Sequence, residues 1–231
     1  MKRFYKEVAV AAEGQGWKVT LDGRAIKTAG GKPQVVPGAA LAEAMAAEWA
    51  GQGEELDPAR FVLRDLADYA IDVVADGRAE VIATLLRYAE TDTLCYRAEP
   101  GEPLLARQEA VWDPLLAAAE ARWDVHFERI GGIIHRAQPS ATLRRLEAVL
   151  QAESHFTLAA LNTLTTLAAS LVIGLAALAP DADCTALWDA AELEGDWQAE
   201  QWGHDPEAAE RRARRLAAFE KAAEFARLAR G

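Results

Sequence analysis

Cysteine is scarce in this 231-residue chain. Cys95 and Cys184 stand far apart and form no C-x-x-C pair, which excludes a disulfide framework and a thiolate zinc site. Each reads as a free, buried thiol. Histidine is equally sparse: His126, His135, His155 and His204 make no i,i+4 pair and no cluster with cysteine, so no metal site is expected. The usual catalytic and nucleotide signatures, G-x-x-x-x-G-K-[ST], G-x-S-x-G and H-E-x-x-H, are missing. Gly14-Gln15-Gly16 opens like a dinucleotide loop, but the third glycine is lacking and a strand follows, so it reads as a turn. The residues therefore offer no local motif for catalysis, a cofactor or a metal. The start, Met1-Lys2-Arg3-Phe4-Tyr5, carries neither a secretory apolar core nor an Arg- and Ser-rich transit segment, which predicts a cytoplasmic protein.

Basic residues are absent over a long stretch. Between Glu147 and Glu210 there is no Lys or Arg, while twelve acidic residues fall there, in a chain of net charge -11. Such a region repels nucleic acid and anionic lipid and attracts a basic protein surface. Arg211-Arg212-Ala213-Arg214-Arg215 does not reverse this. Glu207 and Glu210 stand four residues before Arg211 and Arg214, giving helical ion pairs, and no aromatic interleaves the arginines.

What is present suits a folded globular protein: 51% hydrophobic and 26% charged residues, enough for a real core. The first part alternates, through Phe4 to Val10, Trp17 to Leu21 and Arg24 to Lys27, and Asp22-Gly23 is a hairpin signal because both turn residues accept positive φ. An antiparallel sheet is predicted, with Gln34-Val35-Val36 as a short edge addition. From Gly38 the period becomes helical, with Leu41, Met45 and Trp49 on one face and Leu63, Leu66, Ala67, Ala70, Ile71 and Val74 on the next. Further helices are predicted to about Glu90, from Leu104 towards Val125, from Pro139 to Gln151, from Phe156 to Ala179, from Cys184 to about Trp202, and from Pro206 to the end. Pro114 should kink the helix from Leu104 or restart it with Asp113 as cap. Ile130-Gly131-Gly132-Ile133-Ile134 breaks the helical pattern. Phe156 to Ala179 is uncharged and long enough to span a bilayer. Its threonines and Asn162, and the lack of flanking Lys or Arg, favour a central helix packed on all sides, so no stable membrane insertion is expected.

Seven tryptophans, at 17, 49, 112, 123, 188, 197 and 202, exceed what such a chain needs, though core filling accounts for most. Trp197 and Trp202 lie in the acidic stretch, where core and interface roles are equally open. Glu192, Glu194, Asp196 and Glu200 could supply a carboxylate pair, but acids are so dense here that a solvated face serves as well.

The chain also carries an ordered succession of short motifs: Arg3-Phe4-Tyr5-Lys6, Leu21-Asp22-Gly23-Arg24 with Lys27-Thr28, Glu48-Trp49, Tyr88 with Thr91-Asp92, and Leu94-Cys95-Tyr96-Arg97. Trp112-Asp113-Pro114-Leu115, Ser170-Leu171, and Leu193-Glu194 through Gln198 to Trp202-Gly203 complete it. In this order they resemble the F-type ATP synthase assembly chaperones of the ATP-twelve family, known from mitochondria and some bacteria, which bind the catalytic-sector alpha subunit before it pairs with beta. The resemblance implies an α+β fold: a small, mostly antiparallel β N-terminal domain (1–60) followed by an all-α orthogonal helical bundle (61–231). It implies no catalysis and no cofactor, a critical glutamate at Glu194 and sensitivity at Glu48 and Trp49. Joined to the acid-and-tryptophan pattern, it gives Glu194, Asp196, Trp197, Trp202, Glu48 and Trp49 as expected client-binding residues, on a bacterial, monomeric chaperone of the alpha subunit. Gly195, beside Glu194, stands where relatives are more often acidic, and puts helix continuity there in question. Two other readings stay open on the residues alone: a motif-poor enzyme using carboxylates of 181–207, or an adaptor for another basic client.

Overall fold

The computed structural model describes every residue except Ile133, Ile134 and His204. The chain forms two compact units interleaved in sequence. The first comprises Met1–Arg78, Ser154–Ala160 and Lys221–Gly231; the second comprises Ala79–Glu153 and Leu161–Glu220. The β-rich stretch expected over 1–60 lies wholly in the first unit, which also takes in helical residues up to 78 and two stretches from much later in the chain.

In the first unit, β1 (Val8–Glu13), β2 (Gly16–Leu21) and β3 (Arg24–Ala25) form an antiparallel sheet in that order, with Val10 opposite Val19 and Thr20 opposite Ala25. The turn between β2 and β3 is the one Asp22-Gly23 demands, with φ of 48° and 78°. Asp22 then turns its carboxylate back on the chain and accepts the amides of Lys6 and Glu7 at 3.0 and 2.8 Å. Val36 joins the sheet by a single bridge to Trp17, as the expected edge addition. Helix α1 (Ala39–Ala50) buries Leu41, Ala42, Met45 and Trp49 and stops at Gly51. Helix α2 (Val62–Tyr69) runs on into a π-helical turn, Ala70–Val74, that closes with Ala75 N–H on the Ala70 carbonyl. This stretch pins the loop after the sheet: Asp72 accepts from the Thr28 hydroxyl and the Gly30 amide, each at 2.7 Å, and Asp68 from the Ala29 amide at 3.1 Å. A Cβ on residue 30 would lie 2.8 Å from the Asp72 carboxyl, so only glycine fits that approach.

The second unit is mainly helical: α3 (Arg78–Glu90), α4 (Pro103–Trp123), α5 (Ser140–Ala152), α6 (His155–Ala168), α7 (Leu171–Ala176), α8 (Cys184–Ala191), α9 (Leu193–Trp202) and α10 (Pro206–Arg230). The units divide after the first residue of α3, after Glu153, and inside α6 and α10, so that His155–Ala160 of α6 and Lys221–Arg230 of α10 belong to the first. Two short parallel strands, β4 (Tyr96–Arg97) and β5 (Ile130–Gly131), pair Tyr96 with Ile130. Their pairing accounts for the interruption expected at Ile130-Gly131; Ile133 and Ile134 of the same run lie outside the described residues. Trp112 is fully buried and donates its indole N–H to the Ala190 carbonyl at 2.8 Å, while Trp188 packs against Phe219 at 5.6 Å.

Three helix expectations need correction. The chain does not restart at Pro114: α4 is continuous, and Asp113 pairs with Arg97 at 2.7 Å instead of capping. Phe156 to Ala179 is not one helix. Ala169 adopts a left-handed φ of 49°, and Ser170 caps a new helix by accepting the Ile173 amide at 3.1 Å. Among the described residues no helix is long and apolar enough to cross a membrane. Cys184 to Trp202 also divides, at Glu192, into α8 and α9.

The break at Ala169-Ser170 is organised by Asp92, which is fully buried. Its carboxylate accepts the amide of Leu94 at 3.1 Å and of Val172 at 3.0 Å, with Ser170 and the Leu171 amide as further partners. One side chain therefore caps both the 3-10 turn Thr93–Cys95 and the start of α7. Burial pushes the Asp92 carboxyl up to about 6, against the pull of these donors. Of the two thiols, Cys95 is buried as expected and Cys184 only half-buried.

Candidate functional site

The residues expected to bind a client fall in both units. In the first, Glu48 and Trp49 are neighbours on α1 with quite different surroundings. Glu48 accepts the amides of Leu63 and Arg64 at 2.7 and 3.0 Å, thereby capping the first turn of α2 from another helix. Burial nevertheless lifts its carboxyl above the usual range. Trp49 is 8% exposed, with Phe61 at 4.4 Å and Tyr5 edge-on at 5.5 Å. The Tyr5 hydroxyl donates to the Trp49 carbonyl at 2.6 Å, tying the N-terminal segment to the end of α1.

In the second unit the remaining four share α9. Its sequence, Leu-Glu-Gly-Asp-Trp-Gln-Ala-Glu-Gln-Trp, buries only Leu193. Glu194, Gln198 and Trp202 recur every four residues and so lie along one side of the helix. All three are exposed, and Trp202 is 80% exposed, the barest tryptophan in the chain. Gly195 lies inside α9 and does not interrupt it; the break comes three residues earlier. Its missing Cβ would meet nothing nearer than Glu192 at 3.8 Å, so this glycine is not required sterically.

Glu194 and Gln198 form part of the rim of an open groove of about 660 Å³, together with Tyr96, Arg97, Glu99 and Leu104. Glu194 is set by a relay. Fully buried Gln108 accepts the Ala98 amide at 2.8 Å and donates its side-chain amide to Glu194 at 2.7 Å. A wholly buried amide thus spends a donor on one oxygen of a carboxylate whose residue is exposed. In the same groove Arg97 is 7% exposed, lies 5.2 Å over the Trp112 ring, and bonds Asp113 through one nitrogen.

The other two residues of α9 are engaged. Asp196 pairs with Arg212 at 2.9 Å, and Arg212 also holds Asp189 at 2.7 Å. Arg107 stands 5.6 Å over the Trp197 ring and grips Glu200 with both terminal nitrogens, at 2.6 and 2.8 Å. Arg215 takes Glu192 at 3.0 Å. These pairs correct the picture of an uncompensated acidic stretch. Empty of Lys and Arg in sequence, it is met in space by Arg107, Arg212 and Arg215. The run at 211–215 accordingly does more than form helical pairs, although Arg214 does pair with Glu210 at 3.5 Å.

Sequence reasoning missed Gln108, Arg107 and Arg97 as partners of the site. They lie on α4 and β4, and Gln108 and Arg107 meet α9 across 86 and 93 residues respectively, so no local spacing announces them. Among the described residues the histidines stand apart: His126 faces Glu120 and Glu128, His135 faces Tyr96, and His155 packs on Phe156, while His204 lies outside the described residues. Among the described residues, no three His, Cys, Asp or Glu side chains could hold a metal ion.

A family model described as ATP12 chaperone protein matches residues 2–120. A crystal structure of Atp12 from Paracoccus denitrificans is 36% identical, with a TM-score of 0.94 over 99% of this chain and 98% of that one. A point mutant of the same P. denitrificans protein matches with the same identity and score, over 97% of its chain. A proposed chaperone from Agrobacterium tumefaciens is 38% identical with a TM-score of 0.94, over 98% of this chain and 85% of that one.

Proposed function

Since the chain belongs to the ATP12 chaperone protein family, we propose that it is an assembly chaperone of the F-type ATP synthase catalytic sector, holding the unassembled alpha subunit on the exposed side of α9. The family consists of chaperones, which removes the enzyme reading; of the carboxylates it would have used, Glu192, Asp196 and Glu200 are paired with arginines and Glu194 is held by Gln108.

The observation that carries the proposal is the exposed row Glu194, Gln198 and Trp202 on α9, of which Glu194 and Gln198 line the groove of about 660 Å³. A subunit waiting for its partner exposes an apolar, partly basic surface that aggregates. The Glu194 carboxylate steers and orients such a surface, and Trp202 supplies a large, rigid apolar anchor. Asp196 and Trp197 hold α9 through Arg212 and Arg107, and so act as positioning residues. Glu48 and Trp49 serve the same end in the first unit, by fixing α1 against α2 and the N-terminal segment.

Two variants test this with purified alpha subunit in a pull-down and a titration. Trp202→Ser leaves folding untouched, because the side chain is already in solvent, and weakens capture at least about tenfold, roughly 1.4 kcal/mol. Glu194→Lys abolishes capture while circular dichroism stays native. Unchanged affinity in both variants overturns the assignment of α9.

A further inference from the structure

The first unit contains a second groove, of about 580 Å³, that the α9 reading leaves unused. It is basic in a chain of net charge -11. Arg24, Lys27 and Arg64 line it, Arg64 pairing with Asp65 at 2.6 Å, and the only acid among its described lining residues, Asp22, is already committed to the amides of Lys6 and Glu7. Among the described residues Arg24 and Lys27 have no ion-pair partner. The wall also holds two buried donors without an acceptor, the Trp49 indole N–H and the Arg64 Nε. Phe4 stands at the groove 64% exposed, its ring braced edge-on by Tyr5 at 5.4 Å.

The groove also runs along a sheet edge. The Ile26 amide donates inward to the Val19 carbonyl at 3.2 Å. Because N–H and C=O directions alternate along a strand, the Ala25 N–H and C=O point the other way, off the outer edge of β3. An edge open at Ala25 and ending where Lys27 bridges Pro33, an exposed aromatic ring and the two cations Arg24 and Lys27 together describe one class of occupant.

We propose that this groove binds an extended, acidic segment of a partner protein, which adds to β3 through the Ala25 backbone, seats an apolar side chain on Phe4 and places carboxylates against Arg24, Lys27 and Arg64. The brevity of β3 restricts the added strand to a few residues. Affinity therefore rests on the charges and on Phe4, and the backbone sets direction. Polyanions without a peptide backbone do not use the edge, and nucleic acid is opposed by the charge of the whole chain. The site shares no residue with α9, and it stands whichever client α9 holds.

The test uses the full chain and a fluorescein-labelled ten-residue peptide alternating Glu with Val and Leu, followed by anisotropy. The Glu peptide binds, and the same peptide with Lys for Glu does not. Arg24→Glu with Lys27→Glu, both exposed and without an ion pair among the described residues, weakens binding at least tenfold with an unchanged thermal melt. N-methylation of alternate peptide amides also weakens binding, which separates strand addition from simple charge attraction. Equal binding of the Lys peptide, indifference to the double variant, or indifference to N-methylation overturns the proposal. So does sedimentation showing that the chain self-associates through this groove, which would make a second copy the occupant.

Discussion

Replacing Asp92 by Ala removes one small side chain and leaves four donors, the amides of Leu94, Leu171 and Val172 and the Ser170 hydroxyl, facing a buried void. A buried donor without an acceptor costs about 1–3 kcal/mol, so four cost about 8. Against this, the variant no longer buries a charge. Raising the carboxyl from 3.8 to about 6 corresponds, at about 1.4 kcal/mol per pH unit, to about 3 kcal/mol of unfavourable burial. The net loss is about 5 kcal/mol at pH 7, comparable to the whole stability of a marginal domain. Urea denaturation of both proteins measures it. The pH dependence supplies a second reading. The Asp92 carboxyl titrates higher folded than unfolded, so its contribution is fully present below about pH 4 and is lost as the pH rises through about 6. Subtracting the variant's curve from the wild type's cancels the other groups, and the difference should widen by about 3 kcal/mol from pH 7 down to pH 4. A loss under about 1 kcal/mol, or a difference flat between pH 4 and 6, refutes the account of Asp92 as a buried double cap.

Trp49→Ala empties the space between Tyr5 and Phe61 and should cost about 3–5 kcal/mol in the same denaturation assay, with loss of the cooperative transition as the extreme outcome. Arg212→Ala unties Asp189 from Asp196, but all three side chains are partly exposed. It should cost no more than about 1 kcal/mol, shrinking further in 0.5 M salt, which denaturation at two salt concentrations shows directly.

Short-range rules account for what the sequence determined alone. The period-two alternation, Asp22-Gly23 and the spacing of Leu41, Met45 and Trp49 dictate a hairpin sheet and a helix, because turn φ values and helix faces are set within a few residues. The ordered motifs similarly placed the family, and Trp202 was legible as a possible anchor beside acids. What the sequence could not decide are the features that depend on contacts across the chain. Phe156 to Ala179 reads as one helix until Asp92, about 80 residues away, accepts the amides that begin α7. Residues 147–210 read as uncompensated charge until Arg107, Arg212 and Arg215 reach them, and Glu194 reads as a free carboxylate until buried Gln108 takes one of its oxygens. Burial and the pairing of distant polar groups are properties of the tertiary structure. They turned an acidic stretch into a held helix with one carboxylate and one tryptophan facing out.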